Sequence, residues 1–580
     1  MREYTQFYIN GQWVDPVTPK TLEVLDPSTE EACATISLGS EADTDAIAIG
    51  LQNVNVHTDG KGDIDIEIDA SAEAQSDAEF ISTIEADSTA YGIQGTEFAD
   101  KITISGNPYA KVSAETDVVG GGNSELILGN ITAESVGIEN ADITTNGDSN
   151  TIGAEVSSSI SASNLGSNVS GADDMREVSA TAVAVEDTNI RSNDQDGSTI
   201  RGNADLSVQL DGWDNIDTKE IDELSSIGVK DASITTSSGD DYIEATATSS
   251  ISQFEMLNEQ GALNVAGGGM INSTVITGTG DDVVIGNASG DGLTETSGFV
   301  DSTIDTGVGN DQITGGANNS SFEAGIGDDE IALEASENSI LDGGIGADKL
   351  SINGASNDSQ IHGGIGNDQV QGGSGDDVIQ GGVGDDMIQG GAGADQFIYK
   401  AVDMLRGSDQ ISDFNAAEGD SIVLSNSLLG LDDGTVLEFV SANQIETEGT
   451  INTDQSMIVD TMGNILSLGI HTNARLAYAT DTGDLLFDSN GDWTQGSRTI
   501  TNLSLNGSAS DITSESIQIG NNTSTANIAN SQSFSDATSL GNQTSTAEQQ
   551  DSTNNIVVVE TGTASTIDSE PALQSDTTIV

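Results

Sequence analysis

Four aspartates recur at nine-residue intervals in the middle of the chain: Asp368, Asp377, Asp386 and Asp395. They lie in the consecutive segments GGIGNDQVQ (363–371), GGSGDDVIQ (372–380), GGVGDDMIQ (381–389) and GGAGADQFI (390–398). A carboxylate is a hard oxygen donor, and calcium takes about six to eight such oxygens at about 2.3–2.6 Å. One turn cannot supply that many, so binding chemistry here requires neighbouring turns to act together. Each segment opens on a glycine pair, with Gly363, Gly372, Gly381 and Gly390 in first place, and has a third glycine at position 4. Glycine there permits backbone conformations closed to other residues. Position 8 is always apolar (Val370, Ile379, Ile388, Phe397), as expected of a short strand pointing one side chain into a core.

The elements that position these carboxylates are repeated turns and strands. Earlier copies read TGTGDDVVI (277–285, Asp282), TGVGNDQIT (306–314, Asp311), AGIGDDEIA (324–332, Asp329) and GGIGADKLS (343–351, Asp348). Starts at 306, 324, 343, 363 and 381 are spaced by about two nonapeptides, so these five turns are expected on one edge of a stack. The turns between them are degenerate. The ligand position holds Ser320 in GGANNSSFE and Ser339 near 334–341, and Asp358 is offered near 353–361. Only the turns at 372 and 390 restore the full pattern on the second edge.

This G-G-x-G-x-D-x-U-x pattern, with U apolar, resembles the calcium-binding nonapeptide of the repeats-in-toxin (RTX, haemolysin-type) family. The resemblance implies an all-β chain: a right-handed parallel β-roll or β-solenoid in which facing turns share Ca2+ through loop carbonyls and their Asp. The implied pairs are Asp311/Asp329, Asp329/Asp348, Asp348/Asp368 and Asp368/Asp386 on one edge and Asp377/Asp395 on the other, with Asp358 extending the second edge and Asp282 a further ligand in an isolated copy. Asp328, Asp376 and Asp385, one residue earlier, are expected to face solvent and concentrate cations. Asp241 and Asp100 sit in weaker echoes of the turn, TSSGDDYIE and GTEFADKIT.

Composition agrees with a cation-binding solenoid. Asp and Glu number 96 against 15 Lys and Arg, a formal charge of −81 that opposes compaction unless cations neutralise it. Nucleic acid and anionic membranes require basic patches, so both are poor partners. Apolar residues make up 35% and aromatics 4%, too few for an ordinary globular core, but 68 glycines in phase with Asp suit a thin continuous one. A single cysteine, Cys33, rules out an intramolecular disulfide framework. No apolar run reaches membrane-span length, and MREYTQFYINGQW lacks a signal-peptide core, so export is expected by another route.

Enzyme chemistry finds little support. His57, His362 and His471 are far apart, and neither H-E-x-x-H nor G-x-S-x-G occurs. Gly60-Lys61-Gly62 lacks the Ser or Thr of a phosphate loop. DSNGDW (488–493) starts like an EF-hand but has Trp493 where that loop needs Gly, and reads as a strand-connecting turn. Residues 1–44 resemble the N-terminal arm of aldehyde dehydrogenases through FYINGQWV (7–14) and TLEVLDPSTEEACATISLGSEAD (21–43), opening strands that carry no active-site residue in that family.

The organisation expected is therefore an arm at 1–44, an irregular acidic β-solenoid at 45–270, the β-roll at 271–398, a β-rich cap at 399–520 and a disordered polar tail at 521–580. The cap segments 408–424 and 477–493 resemble those that close haemolysin-type repeats, and the C-terminal DSEPALQSDTTIV resembles a type I export signal. The function expected is calcium binding in a secreted, non-enzymatic surface or extracellular protein. Its partners are calcium, the type I secretion apparatus and a cell-surface or matrix polysaccharide. The rival is a carbohydrate-active enzyme (lyase, epimerase or glycosidase) using paired acids on 45–270.

Overall fold

DIDIEIDA (63–70) alternates apolar and acidic residues, and the strand Asp65–Ala78 that contains it buries Ile68 and Ala70 while exposing Glu67 and Asp69. That alternation repeats along the chain and builds a parallel β-solenoid. The computed structural model describes strands within residues 2–52, then 65–78, 83–95, 102–105, 107–120, 127–145, 150–164, 175–193, 195–211, 221–252, 265–290, 297–354, 356–448, 455–468, 473–503 and 512–520, with side chains only from Ala46 onward. The chain divides into two compact units, Met1–Ser531 and Gln532–Val580. The second unit, the expected tail, Asp100, His57 and His471 lie outside the described residues.

A wide coil contains three strands, as in Asn107–Gly120, Ile127–Glu139 and Ala141–Thr145. Each pairs in parallel with its counterpart one coil on: Tyr109 with Gly153, Leu128 with Met175, Ile143 with Ile190. The two long rows are lined inside by small residues, among them Ala110, Ala114, Ala154, Ala180 and Ala184. Such residues let the rows approach closely enough for hydroxyls to meet between them. Ser88 and Thr116 are 2.7 Å apart, and Ser135 and Ser158 are 2.6 Å apart. This hydroxyl-and-alanine filling explains how a chain so poor in aromatics has an interior. The short third row carries one inward aliphatic or aromatic per coil, running from Ile104 through Ile143, Ile190 and Ile234 to Phe322, Ile379 and Phe397.

The coils then narrow. Successive ladder residues are 43 and 41 residues apart through Ser198, Asp241 and Asp282, then 29 to Asp311, and then 18, 19, 20 and 18 through Asp329, Asp348 and Asp368 to Asp386. The strand Gln312–Asn318 shows how this happens. Its first residues pair with Val283–Gly286 and its last two with Phe299 and Val300, so two strands of the previous coil merge into one. From there the fold is a β-roll.

Stacking makes glycine necessary at position 4. Gly366 has φ +152°, and a Cβ there would run into the carbonyl oxygen of Gly346, one coil away. Gly366→Ala is therefore expected to cost at least about 3 kcal/mol, through strain and backbone overlap together. The check is far-UV circular dichroism at saturating calcium, where the roll signal should be lost.

Asp409–Ile411 and Ser421–Ser425 continue the two roll sheets. Arg498–Leu503 and Ile517–Gly520 then pair over them. Between these lie the antiparallel pairs joining Leu476–Ala479, Asp484–Phe487 and Arg498–Leu503, around fully buried Tyr478 and a turn holding buried Trp493. The short helices Asn426–Leu429, Ala442–Glu448 and Met462–Ile465 were not expected in this β-rich region. In the N-terminal arm Phe7–Ile9 pairs antiparallel with Gln12–Val14, and Arg2–Tyr4, Ala32–Leu38 and Lys20–Leu25 form a separate sheet.

Candidate metal centre

The position-6 aspartates form a buried ladder in which each coil's carboxylate is held by the backbone of the coil before it. Asp282 N–H donates to Asp311 Oδ1 at 2.7 Å, Asp311 N–H to Asp329 at 2.8 Å, and Asp329 N–H to Asp348 at 2.9 Å. Asp348 N–H continues to Asp368 and Asp368 N–H to Asp386, both at 2.9 Å. On the other edge Asp377 N–H donates to Asp395 Oδ1 at 3.0 Å. The structure thus brings together Asp282, Asp311, Asp329, Asp348, Asp368 and Asp386 in sequence on one edge and Asp377 with Asp395 on the other.

Only one oxygen of each carboxylate is used this way. On Asp282, Asp311, Asp329, Asp348, Asp368, Asp386 and Asp395 the second oxygen, Oδ2, is buried and accepts no hydrogen bond. A buried, unsatisfied carboxylate oxygen is costly and points to a missing positive partner. Among the described residues none is supplied. The ion pairs among the described residues, such as Arg201–Glu244, Lys230–Glu186 and Lys349–Glu330, leave these carboxylates untouched. The first-position glycines keep space around the Oδ2 atoms. A Cβ on Gly363, Gly372 or Gly381 would lie 2.6, 2.9 or 2.5 Å from the Oδ2 of Asp368, Asp377 or Asp386, and Gly390 is tighter still against Asp395.

Burial pushes the carboxyls up: Asp368 to about 8, Asp311, Asp329 and Asp395 to about 7, and Asp348 to about 6. Backbone N–H bonds work against the rise, and neighbouring ladder carboxylates add to it for most of these groups. Paired hard oxygens, carbonyl-rich turns and no basic partner fit a calcium ion between coils. Among the described residues no three His, Cys, Asp or Glu side chains converge on one point, so turn carbonyls must provide the remaining oxygens.

Asp328, Asp376 and Asp385 are exposed as expected, and each also accepts an N–H from the next coil, those of Ala347, Ala394 and Ser408, at 2.8 Å. Asp358 does not occupy a ladder position. It is exposed, with φ +54°, in a series of left-handed corner residues that includes Asn272, Asp301, Asn319 and Asn338. The buried ladder residue is its neighbour Ser359. The corner is made by the Asx residue itself, so the inward position falls one residue later.

The ladders reach further than the repeats suggested. Asp386 N–H donates to Asp409 Oδ1 and Asp395 N–H to Asp420 Oδ1, both at 3.1 Å. The available signal was half a repeat, Gly407-Ser408-Asp409-Gln410-Ile411 and Gly419-Asp420-Ser421-Ile422. Asp241 joins at the other end, its N–H donating to Asp282 Oδ1 at 2.8 Å. Both oxygens are occupied at two ends: Asp241 Oδ2 accepts from the Thr236 hydroxyl at 2.5 Å, and Asp420 Oδ2 from Asn415 N–H at 2.7 Å. His362 lies with Nδ1 3.2 Å from Asp342 Oδ1, in register with Asp342 and Gln380 as part of a strand ladder. Asp488 makes the DSNGDW turn by accepting the N–H groups of Asn490 and Gly491 at 2.8 and 2.6 Å.

Comparison with known proteins agrees with this geometry. The RTX calcium-binding nonapeptide repeat matches in four copies, within residues 305–340 and 362–397. A short N-terminal stretch is similar to proteins named "Putative aldehyde dehydrogenase". That of Staphylococcus saprophyticus subsp. saprophyticus is 49% identical over 43 residues, 7% of this chain and 9% of that protein. Those of Staphylococcus aureus strains USA300 and NCTC 8325 are 47% identical over 43 residues, with the same coverage. The chain therefore spans only 9% of the length of these curated relatives. No solved structure matches the chain. What the chain carries is a set of RTX calcium-binding nonapeptide repeats, stacked as the narrow coils of a parallel β-solenoid.

Proposed function

We propose that this chain is a secreted, non-enzymatic structural or adhesive protein, at or outside the cell surface, whose roll folds when calcium fills the gaps between ladder carboxylates. The observation that carries this reading is the row of buried Oδ2 atoms without a donor on Asp311, Asp329, Asp348, Asp368 and Asp386. The residues that would hold the metal are these five and Asp282 on one edge and Asp377 and Asp395 on the other, with Gly363, Gly372, Gly381 and Gly390 keeping the cradles open. Bound calcium supplies the positive charge and the coordination that these oxygens lack. The chain's own contribution is to hold each carboxylate by its other oxygen on the preceding coil, so that orientation is set by the backbone.

Where calcium is scarce, the facing carboxylates repel and the glycine-rich turns lose much entropy on ordering, so the repeats stay unfolded. At an extracellular level of roughly 10⁻⁴–10⁻³ M they fold. Among the described residues no helix is long and apolar enough to cross a membrane. The polysaccharide partner and the type I export route belong to the same reading. Two measurements test it. Circular dichroism against calcium should show a cooperative gain of β signal, and a β signal equal in chelator and calcium would sink the folding claim. Fractionation of the native host should place the protein in medium or on the surface, and a purely cytosolic pool would sink the export claim.

A further inference from the structure

The residue at position 1 of each ladder turn changes along the chain. It is Thr236, Thr277 and Thr306 in the first three turns, then Ala324, Gly343, Gly363 and Gly381. The threonine hydroxyls bridge coils. Thr236 donates to the carbonyl of Thr277 at 2.6 Å, Thr277 to that of Thr306 at 2.8 Å, and Thr306 to that of Ala324 at 3.0 Å. Turn carbonyls that a cation would otherwise use are there already satisfied by protein. Thr236 in addition covers Asp241 Oδ2.

The opposite edge is zipped in the same neutral manner, from these coils on into the Asp329 coil. Ser273 N–H donates to the Ser302 hydroxyl, Ser302 N–H to Ser320 at 3.1 Å, and Ser320 N–H to Ser339 at 3.2 Å. Each of these hydroxyls donates in turn to a carbonyl two residues back in its own coil. The serine ladder is an uncharged version of the aspartate ladder, with every hydroxyl both donating and accepting.

We infer that the coils before Ala324 fold without calcium, Asp282 and Asp311 taking up the ion only after the stack beyond them has formed, and act as a permanent template on which the calcium-requiring coils assemble. This rests on the calcium-dependent folding proposed above, narrows it to the repeats from Ala324 onward, and adds that it has a fixed starting point and direction. In a stack stabilised by nearest-neighbour contacts, a new coil gains its interface only if the adjacent coil is already formed. The core row Ile243, Val284, Ile313, Ile331, Leu350 runs through the junction in unbroken parallel register. The last hydroxyl-zipped coil therefore presents a ready edge to the first coil that needs the ion.

Hydrogen–deuterium exchange of the full chain, read by peptide in chelator and at stepwise calcium, tests this. In chelator, peptides within 199–211 and 265–290 should exchange at least about tenfold more slowly than those within 363–398. Rising calcium should protect 330–352 before 381–398. The double variant Thr277→Val, Thr306→Val should lose chelator protection over 265–318 while peptides within 107–164 keep theirs. Equally fast exchange of 199–290 and 363–398 in chelator overturns the template and leaves calcium-dependent folding standing. Slow exchange everywhere in chelator overturns that reading and the template with it. An unchanged double variant overturns the role of the hydroxyls.

Discussion

Asp368→Ala should raise the calcium midpoint of roll folding by about a hundredfold, a loss on the order of 3 kcal/mol. Asp368 sits within the longest uninterrupted run of ladder carboxylates, between Asp348 and Asp386. In the proposed pairing its carboxylate borders the gaps on both sides, so one substitution would remove an anionic group from two candidate sites. It also removes the acceptor of Asp348 N–H, leaving a buried donor in the preceding turn unsatisfied. The matched control is Asp358→Asn. That residue sits on an exposed left-handed corner that Asn tolerates equally well, as Asn338 and Asn319 do one and two coils earlier, and its midpoint should stay within about twofold of wild type. Circular dichroism against calcium reports the roll. A midpoint for Asp368→Ala within twofold of wild type would remove the ladder from the binding machinery. A large shift for Asp358→Asn would restore the ligand role that its position denies.

The two aspartates also mark how far the sequence could be read. Asp368 was legible because three glycines and an apolar residue bracket it at fixed offsets, and because the same bracket recurs nine residues on at Asp377. Repetition in phase made a common polar turn informative. Asp358 misled because the second edge follows a different rule: an Asn or Asp makes the corner and the following Ser points inward, as in Asn319-Ser320 and Asn338-Ser339. Counting acidic residues cannot tell a corner from a ligand. Asp409 and Asp420 were missed because their turns keep only the second half of the pattern, and the first half is replaced by cap structure such as the short turn Asp403–Leu405. The narrowing of the solenoid was invisible for another reason. Coils of 41 and 43 residues share with coils of 18 to 20 residues only one inward aliphatic per strand, and variable connections hide that period. Ile200, Ile243, Val284 and Ile313 stack on one another, but nothing in their linear spacing says so.

Protons should partly replace calcium. Burial holds Asp368 up to about 8 and Asp311, Asp329 and Asp395 up to about 7 in the folded chain, whereas an unfolded aspartate titrates near about 3.9. Between about pH 4 and pH 8 the calcium-free folded state therefore binds more protons than the unfolded one. Stability then falls as pH rises through that window and is greatest below it. In chelator, lowering the pH from 8 to 5 should recover β signal in the roll, because protonation removes the same facing charges that calcium offsets. With calcium bound the dependence should vanish over most of this window. The calcium-bound roll and the unfolded chain both carry ionised carboxylates above about pH 5, so roll stability at saturating calcium should be nearly independent of pH between 6 and 8. A chelator signal flat between pH 5 and 8, or a roll at saturating calcium that gains stability as the pH falls from 8 to 6, would mean that the buried carboxylates are not the groups linking folding to the ion.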